Sequence, residues 1–309
     1  MKARFVHCIE EIPSDAVLAI GTFDGVHTGH RLILNAALDF AHRTGRDAWV
    51  LTFHQHPLSI LAPERAPRSI CSQEETLEQL LAMGFVNLAT VDFTLELAAI
   101  SPEQFADCFQ HAVLFCGEDW RFGKCAQGSP ELLRAHGVDV RVQPYAEYAG
   151  VRVSSSRIRD AITAGMFSDV AAMLRRPWRY QGTVVHGRGL ARKMFGVPTA
   201  NVLFDTTRVA PARGVYRAKV SVERIGTLDA LVNFGIAPSL KGEASPLLEA
   251  HLLAYEGDLY QKQLSFSFEH DLLRPERTFS SVEMLKAQIL SDLANVQSGY
   301  NKHFLEEIK

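Results

Sequence analysis

Two histidines three residues apart, His27 and His30, end the segment Gly21-Thr-Phe-Asp-Gly-Val-His-Thr-Gly-His30. At that spacing both imidazoles can face one ligand from a first helical turn. Each can donate to phosphate oxygens, where charge builds when an α-phosphate is attacked. Gly29 between them has no side chain and lets backbone and phosphate approach closely. Gly21 and Gly25 loosen the turn. The segment follows a short apolar run, Ala16–Phe23, that reads as a buried strand. It therefore lies where a first strand feeds a first helix. A helix N-terminus there offers unpaired N–H groups and a positive dipole end, which suit a triphosphate such as ATP.

A second segment has matching chemistry. Ser154, Ser155 and Ser156 precede a helix that carries Arg157 and Arg159. Serines cap helices and bind phosphate, and arginines neutralise the β,γ-phosphates of a leaving pyrophosphate. Taken alone, an ordinary capped helix with solvated arginines fits this segment as well. Further along, Gly187, Gly189 and Gly196 can let backbone N–H groups wrap phosphates. Pro198 leads into Thr199 and Asn201, which alternate on a strand-like stretch and so point one way. Two oxygen ligands on one face suit Mg²⁺ beside a nucleotide.

The elements that position these residues change character along the chain. Strand-like runs at Ala16–Phe23, Ala48–Phe53, Val113–Cys116 and Val138–Val142 alternate with helical periodicity. Leu32, Leu34, Ala37, Leu38 and Ala41 mark one helix over Gly29–Arg43. Ser72 with Glu75 forms a capping box for a second, and Ser101-Pro102 and Ser129-Pro130 open two more. This order predicts a parallel sheet with helices on both faces. Ligands of such sheets sit outside the carboxyl ends of the strands. Short helices are expected over Ser156–Ala164 and Ser168–Arg175. Beyond Pro177 the helical period gives way to six strand-like runs between Tyr180 and Phe268, an antiparallel barrel or sandwich. A helix over Val282–Val296 closes the chain. The boundary falls near 178–184, giving domains 1–179 and 180–309.

Composition bounds the function. A chain of 309 residues suits two domains at about 100–200 residues each. With 47% hydrophobic and 22% charged residues, it is globular in kind. A net charge of -3 supplies no basic field for nucleic acid or anionic lipid. Five cysteines without a C-x-x-C pair argue against a disulfide framework or a zinc site. A redox role for Cys116 and Cys125 is open on spacing alone. No apolar leader and no membrane-length apolar run are present, so a cytoplasmic enzyme of small molecules is expected, monomeric or weakly self-associating.

The two N-terminal segments resemble the H-x-G-H and S-S-T-x-I-R signatures of HIGH-type nucleotidylyltransferases. The whole of Gly21–His30 is similar to the bacterial bifunctional riboflavin kinase/FAD synthetase family. Thr52-Phe-His-Gln-His-Pro57 and Cys116-Gly-Glu-Asp-Trp-Arg-Phe-Gly123 resemble that family's T-F-x-P-H-P and V-G-x-D-F-x-F-G. The stretches Gly196–Asn201, Gly214-Val-Tyr216, Leu248–Leu252, Gly257–Tyr260 and Leu273–Glu276 resemble its kinase domain, and the order is collinear. The resemblance implies a Rossmann-like adenylyltransferase domain and a β-barrel riboflavin kinase domain. The kinase step turns riboflavin into FMN with MgATP; the adenylyl step joins FMN to AMP from a second ATP, releasing pyrophosphate and giving FAD. It implies that Phe23 and Asp24 join the ATP site and that Glu249 is the kinase's general base. His56, Asp119, Phe122 and Arg274 would contact flavin.

The chain also departs from the family. Gln55 replaces a proline, and Thr76 stands where a lysine is usual. The stretch between Phe105 and Val113 is short. In the kinase loop Ala191 replaces a glycine and one residue is inserted before Gly196, with Lys193 nearby as a compensating cation. Phe234–Ser239 lacks an arginine. Alternatives therefore remain: an adenylyltransferase without kinase activity, one with a different acceptor, or a flavin-binding regulator with a degenerate kinase domain.

Overall fold

The computed structural model describes residues 3–186, 198–238 and 244–306. By internal contacts the chain divides into two units, Met1–Arg157 and Ile158–Lys309.

The first unit is built on a parallel sheet. Its strands are β1 (Arg4–Val6), β2 (Val17–Ile20), β3 (Ala48–Phe53), β4 (Asn87–Val91), β5 (Val113–Gly117) and β6 (Asp139–Gln143), in the order β1-β4-β3-β2-β5-β6. β1 and β4 were not legible in the sequence: β1 has three residues, and β4 is a short run without turn signals on both sides. The sheet buries both faces, as parallel sheets with crossover helices must. One face carries Leu18, Ile20, Trp49, Leu51 and Leu114. The other carries Val17, Ala19, Val50 and Phe115, packed on Leu34, Ala37 and Ala41 of α1 (Thr28–Thr44). Gly45, at φ 67°, ends that helix in the left-handed conformation a C-cap needs.

Shorter helices α2 (Leu58–Leu61), α3 (Gln73–Ala82), α4 (Leu95–Ala99), α5 (Pro102–Asp107) and α6 (Pro130–Ala135) complete the crossovers. Both halves of the Ser72–Glu75 capping box are formed, and α5 has its own box from Ser101 and Gln104. The strand order reverses between β2 and β5, so the connections leaving their carboxyl ends run to opposite sides, the place where a crevice forms in such sheets. A small hairpin, β7 (Glu147–Tyr148) and β8 (Val151–Arg152), precedes α7 (Ser155–Ala164), and α8 (Phe167–Leu174) follows.

The second unit is an antiparallel barrel. Its strands are β9 (Trp178–Val185), β10 (Ala200–Leu203), β11 (Gly214–Val222), β12 (Gly226–Pro238), β13 (Ala244–Leu252) and β14 (Gln263–Phe268), with a short β15 (Arg274–Pro275) beside β11. The order β12-β13-β10-β9-β14-β11 is closed by pairing of β11 with β12. Alternate residues such as Val202, Val220, Val232, Leu248 and Phe266 fill the inside. Phe167 of α8 is fully buried and stacks on Trp178 and Phe268. That contact explains why the contact division precedes the 178–184 boundary read from the sequence. The final helix α9 (Val282–Glu306) lays Leu293 and Val296 on Val215, Leu231 and Leu253 outside the barrel.

Candidate active sites

The first site grows from the end of β2. In the turn that follows, Phe23, Gly25 and Val26 have φ of 46°, 83° and 43°. Positive φ is costly for a β-branched residue, and such strain persists only where packing over-determines it. Here the side chains of Phe23 and Val26 are both fully buried beneath α1. Phe23 thus anchors the turn, and its ring belongs to the core. Asp24 is also a strut: its carboxylate accepts from the backbone N–H groups of Ile70 (3.0 and 3.1 Å) and Cys71 (3.2 Å).

His27 is the N-cap of α1, and its Nδ1 accepts from the His30 backbone N–H at 3.2 Å. The two rings stack with centroids 3.6 Å apart, and Phe23 meets His30 edge-on. A Cβ on Gly29 would lie 3.1 Å from His27 Cε1, so glycine there gives the imidazole its room. The same Cβ would lie 3.9 Å from the Val153 carbonyl oxygen, so the second motif is adjacent. The Ser155 hydroxyl donates to the Asp24 carbonyl (3.4 Å), and Ser154 Oγ accepts from the Arg157 N–H (3.3 Å). The structure therefore brings Gly21–His30 and Ser154–Ser156 to one place, the crevice beside β2. Two helix starts converge there, each with N–H groups suited to anions.

The arginines divide. The Arg157 guanidinium donates to the carbonyls of Tyr148 (3.0 Å), Val151 (2.7 Å) and Arg152 (3.3 Å) and lies over the Tyr148 ring. Through Nη1 it clamps the β7–β8 hairpin. Arg159 lies about 200° further around α7.

The proposed flavin contacts are likewise uneven. Asp119, after β5, forms an ion pair with Arg152, whose guanidinium is 3.4 Å from the Tyr145 ring centroid. Arg152 was not singled out in the sequence, because a lone arginine on a two-residue strand carries no local signal. The Phe122 ring is buried between Trp120 and Phe105, with centroids 4.7 Å from each. The half-buried Trp120, not Phe122, offers partial exposure there. His56 Nδ1 accepts from the Leu58 N–H (3.2 Å) at the start of α2. His54 is in close contact with Gln73 Nε2 and stacks on His7. Cys116 sits in the core of β5, where burial pushes its thiol up to about 12; Cys125 is exposed. Cys116 therefore lacks the activated thiolate a redox role requires.

The second site lies on the outward face of the barrel. Asn201 of β10 faces Glu249 of β13, which faces Asn233 of β12. Directly opposed residues share a face, so the three form a row across neighbouring strands. Asn201 is buried and Glu249 half-buried. Burial raises the Glu249 carboxyl above the usual range, a hydrogen bond from Asn233 opposes that, and the nearby Glu276 carboxylate adds to it. A Cβ on Gly235 would lie 2.9 Å from Glu276 Oε1, so the Glu276 carboxylate packs directly over this glycine.

Arg274, expected at the flavin, is held by buried Asp292 of α9 through Nε (2.9 Å) and Nη2 (2.7 Å), with Gln288 on the other carboxylate oxygen (2.8 Å). That pairing ties the helix to β15. Pro198 and Thr199 are half-buried ahead of β10. Gly187, Gly189, Gly196 and the altered stretch 191–196 lie outside the described residues. At their edge His186 stacks on Tyr260, centroids 3.6 Å apart.

Comparison with known proteins finds matches over both halves of the chain. The family model described as FAD synthetase matches residues 9–157, and that described as riboflavin kinase matches 174–299. The chain is 34% identical over 302 residues to a bifunctional riboflavin kinase/FMN adenylyltransferase from Pseudomonas fluorescens, covering 94% of this chain and 95% of that one. It is 32% identical over 300 residues to the protein of the same description from Escherichia coli K12, covering 94% of each. A crystal structure described as a macrolide-efflux protein from Streptococcus pneumoniae superposes with a TM-score of 0.85 at 26% identity, over 96% of this chain and 99% of that one. Among the described residues no helix is long and apolar enough to cross a membrane.

Proposed function

This chain belongs to the bifunctional riboflavin kinase/FMN adenylyltransferase family, and from that membership we propose that it makes FAD from riboflavin in two ATP-dependent steps. In the adenylyl step the FMN phosphate attacks the α-phosphate of ATP. His27 and His30 donate to the charge that develops there, and the N–H groups at the starts of α1 and α7 hold the phosphates with Ser154–Ser156. Arg157 and Arg159 are the candidates for neutralising the leaving pyrophosphate. Gly21, Phe23, Asp24 and Gly25 shape the turn. His56, Asp119 and Trp120 would contact the flavin.

In the kinase step the riboflavin 5′-hydroxyl attacks the γ-phosphate of a second ATP. Glu249 takes the hydroxyl proton, and its raised carboxyl pKa makes it a stronger base than an ordinary glutamate. Thr199 and Asn201 offer side-chain oxygens, which fit Mg²⁺ shared with nucleotide phosphates. When bound there, Mg²⁺ supplies neutralisation of phosphate charge. Gly187, Gly189, Gly196 and Pro198 would form the phosphate loop. We place both steps in the cytoplasm.

The observation that carries the reading is the junction of the two N-terminal motifs, Ser155 Oγ on the Asp24 carbonyl beside the stacked histidines. The test is chromatographic: the protein is incubated with MgATP and, separately, riboflavin or FMN. Conversion of both supports two working sites. Conversion of FMN alone assigns an adenylyltransferase with a silent barrel. No conversion of either flavin, beside an active relative, overturns the enzymatic reading.

A further inference from the structure

The ladder between β10 and β13 stops at Ala200 opposite Ala250. One step further the same register would set Thr199 against His251, but the ladder does not continue there. Instead the His251 side chain reaches one residue beyond, and its Nδ1 lies 2.8 Å from the Pro198 carbonyl oxygen. A carbonyl only accepts, so Nδ1 carries the proton in this bond.

Three features give the bond leverage. Pro198 has no N–H and cannot donate to a strand neighbour, so its carbonyl is its only backbone handle. That oxygen shares a rigid peptide plane with the Thr199 nitrogen, so holding it fixes the pivot from which the Thr199 side chain projects. On its other side His251 faces Leu231 of β12, and it lies two residues beyond Glu249 on the same face of the same strand. One strand thus carries the proposed base and the grip on the proposed metal-ligating segment.

We propose that His251 is a positioning residue for the kinase step: through the Pro198 carbonyl it registers the Thr199 hydroxyl and Asn201 amide against the Glu249 carboxylate. The proposal rests on the reading of the barrel as a riboflavin kinase. His251 touches neither substrate nor metal in this account. It acts through the backbone.

The test compares His251→Leu with His251→Asn in the full-length protein. Asparagine places an N–H donor near the position of Nδ1; leucine keeps bulk and removes the donor. Riboflavin phosphorylation, adenylylation of added FMN, melting temperature and hydrogen exchange of peptides spanning 198–203 are measured on each. A misplacement of about 1 Å at a reacting centre can cost about 100-fold. His251→Leu is therefore expected to lower kinase kcat at least about tenfold with little change in KM for riboflavin. It should also speed exchange in 198–203 and leave adenylylation intact, while His251→Asn recovers most of the kinase rate. Should the leucine variant not fold, His251→Gln, whose donor is displaced toward the Nε2 position, takes its place. Wild-type kinase kcat and unchanged exchange in the variant without a donor at the Nδ1 position overturn the proposal. So does equal loss in His251→Leu and His251→Asn. If the unaltered protein phosphorylates no riboflavin, the kinase reading itself has failed, a result distinct from an indifferent His251 in an active enzyme.

Discussion

His27 Nδ1 accepts the His30 backbone N–H at 3.2 Å while the two imidazoles stack 3.6 Å apart. One ring therefore does two jobs: it caps α1 and, with its proton on Nε2, presents a donor at the helix N-terminus. The jobs separate by substitution. His27→Asn keeps a side chain that caps well, and His27→Ala removes it at a cost of about 1 kcal/mol. Both should lower FMN adenylylation by about 10²–10³, the loss typical of one donor to a developing charge. Only the alanine variant should melt at lower temperature. Adenylylation rates and melting curves on the pair check this, and a fully active His27→Asn would reduce the histidine to a cap.

Glu249→Gln should lower riboflavin phosphorylation by about 10²–10⁴ and leave adenylylation of added FMN unchanged. The base works only when ionised, and burial holds its carboxyl above the usual range. Kinase kcat should therefore begin to fall, as pH is lowered, at a higher pH than an ordinary glutamate would give. Asn233→Ala removes the hydrogen bond that favours the ionised form, so the acid limb should move to still higher pH. A pH profile of kcat for the two proteins measures the shift; coincident limbs would assign the titration to another group.

Arg274→Ala distinguishes a flavin contact from a tie. Removing one partner of a buried ion pair costs about 3–5 kcal/mol, because the other charge is left uncompensated. With Asp292 buried against it, Arg274→Ala should lower the melting temperature and change KM for riboflavin little. A raised KM with unchanged melting would return Arg274 to the flavin site.

The thiols give a fourth test. A thiol at about 12 has almost no thiolate at pH 8, and Cys116 is also buried. Alkylation of the native protein at that pH should reach the exposed Cys108 and Cys125 and spare Cys116 and Cys71. Peptide mapping after iodoacetamide reads the pattern. Rapid labelling of Cys116 would reopen a redox role.

Much of the framework was legible because its signals are local. The apolar period of α1, the Ser72–Glu75 capping box and the six barrel strands were all readable over short windows. β4 escaped because Asn87–Val91 is too short to show a period, and β1 because three edge residues show none. The two phosphate motifs were readable as residue types, but not the directions of their side chains. Neighbouring Arg157 and Arg159 look equivalent in a string, and the hold of Arg157 on the hairpin carbonyls cannot be read there. Partners distant in sequence left no trace at all: Asp292 for Arg274, Glu276 for Gly235, and Pro198 for His251.

The pairing of β11 with β12 has a consequence for self-association. Every strand from β9 to β14 has a neighbour on both sides, so the barrel offers no open edge on which another chain could template a strand. The parallel sheet does have edges, at β1 and β6. β1 is only three residues long, and β6 carries Asp139 and Arg141 on its exposed side. Shortness and charge are the usual protections of a free edge against intermolecular pairing. If the chain aggregates on mild heating, the first contacts to form are expected at these edges of the nucleotide-binding half, while the barrel is still closed.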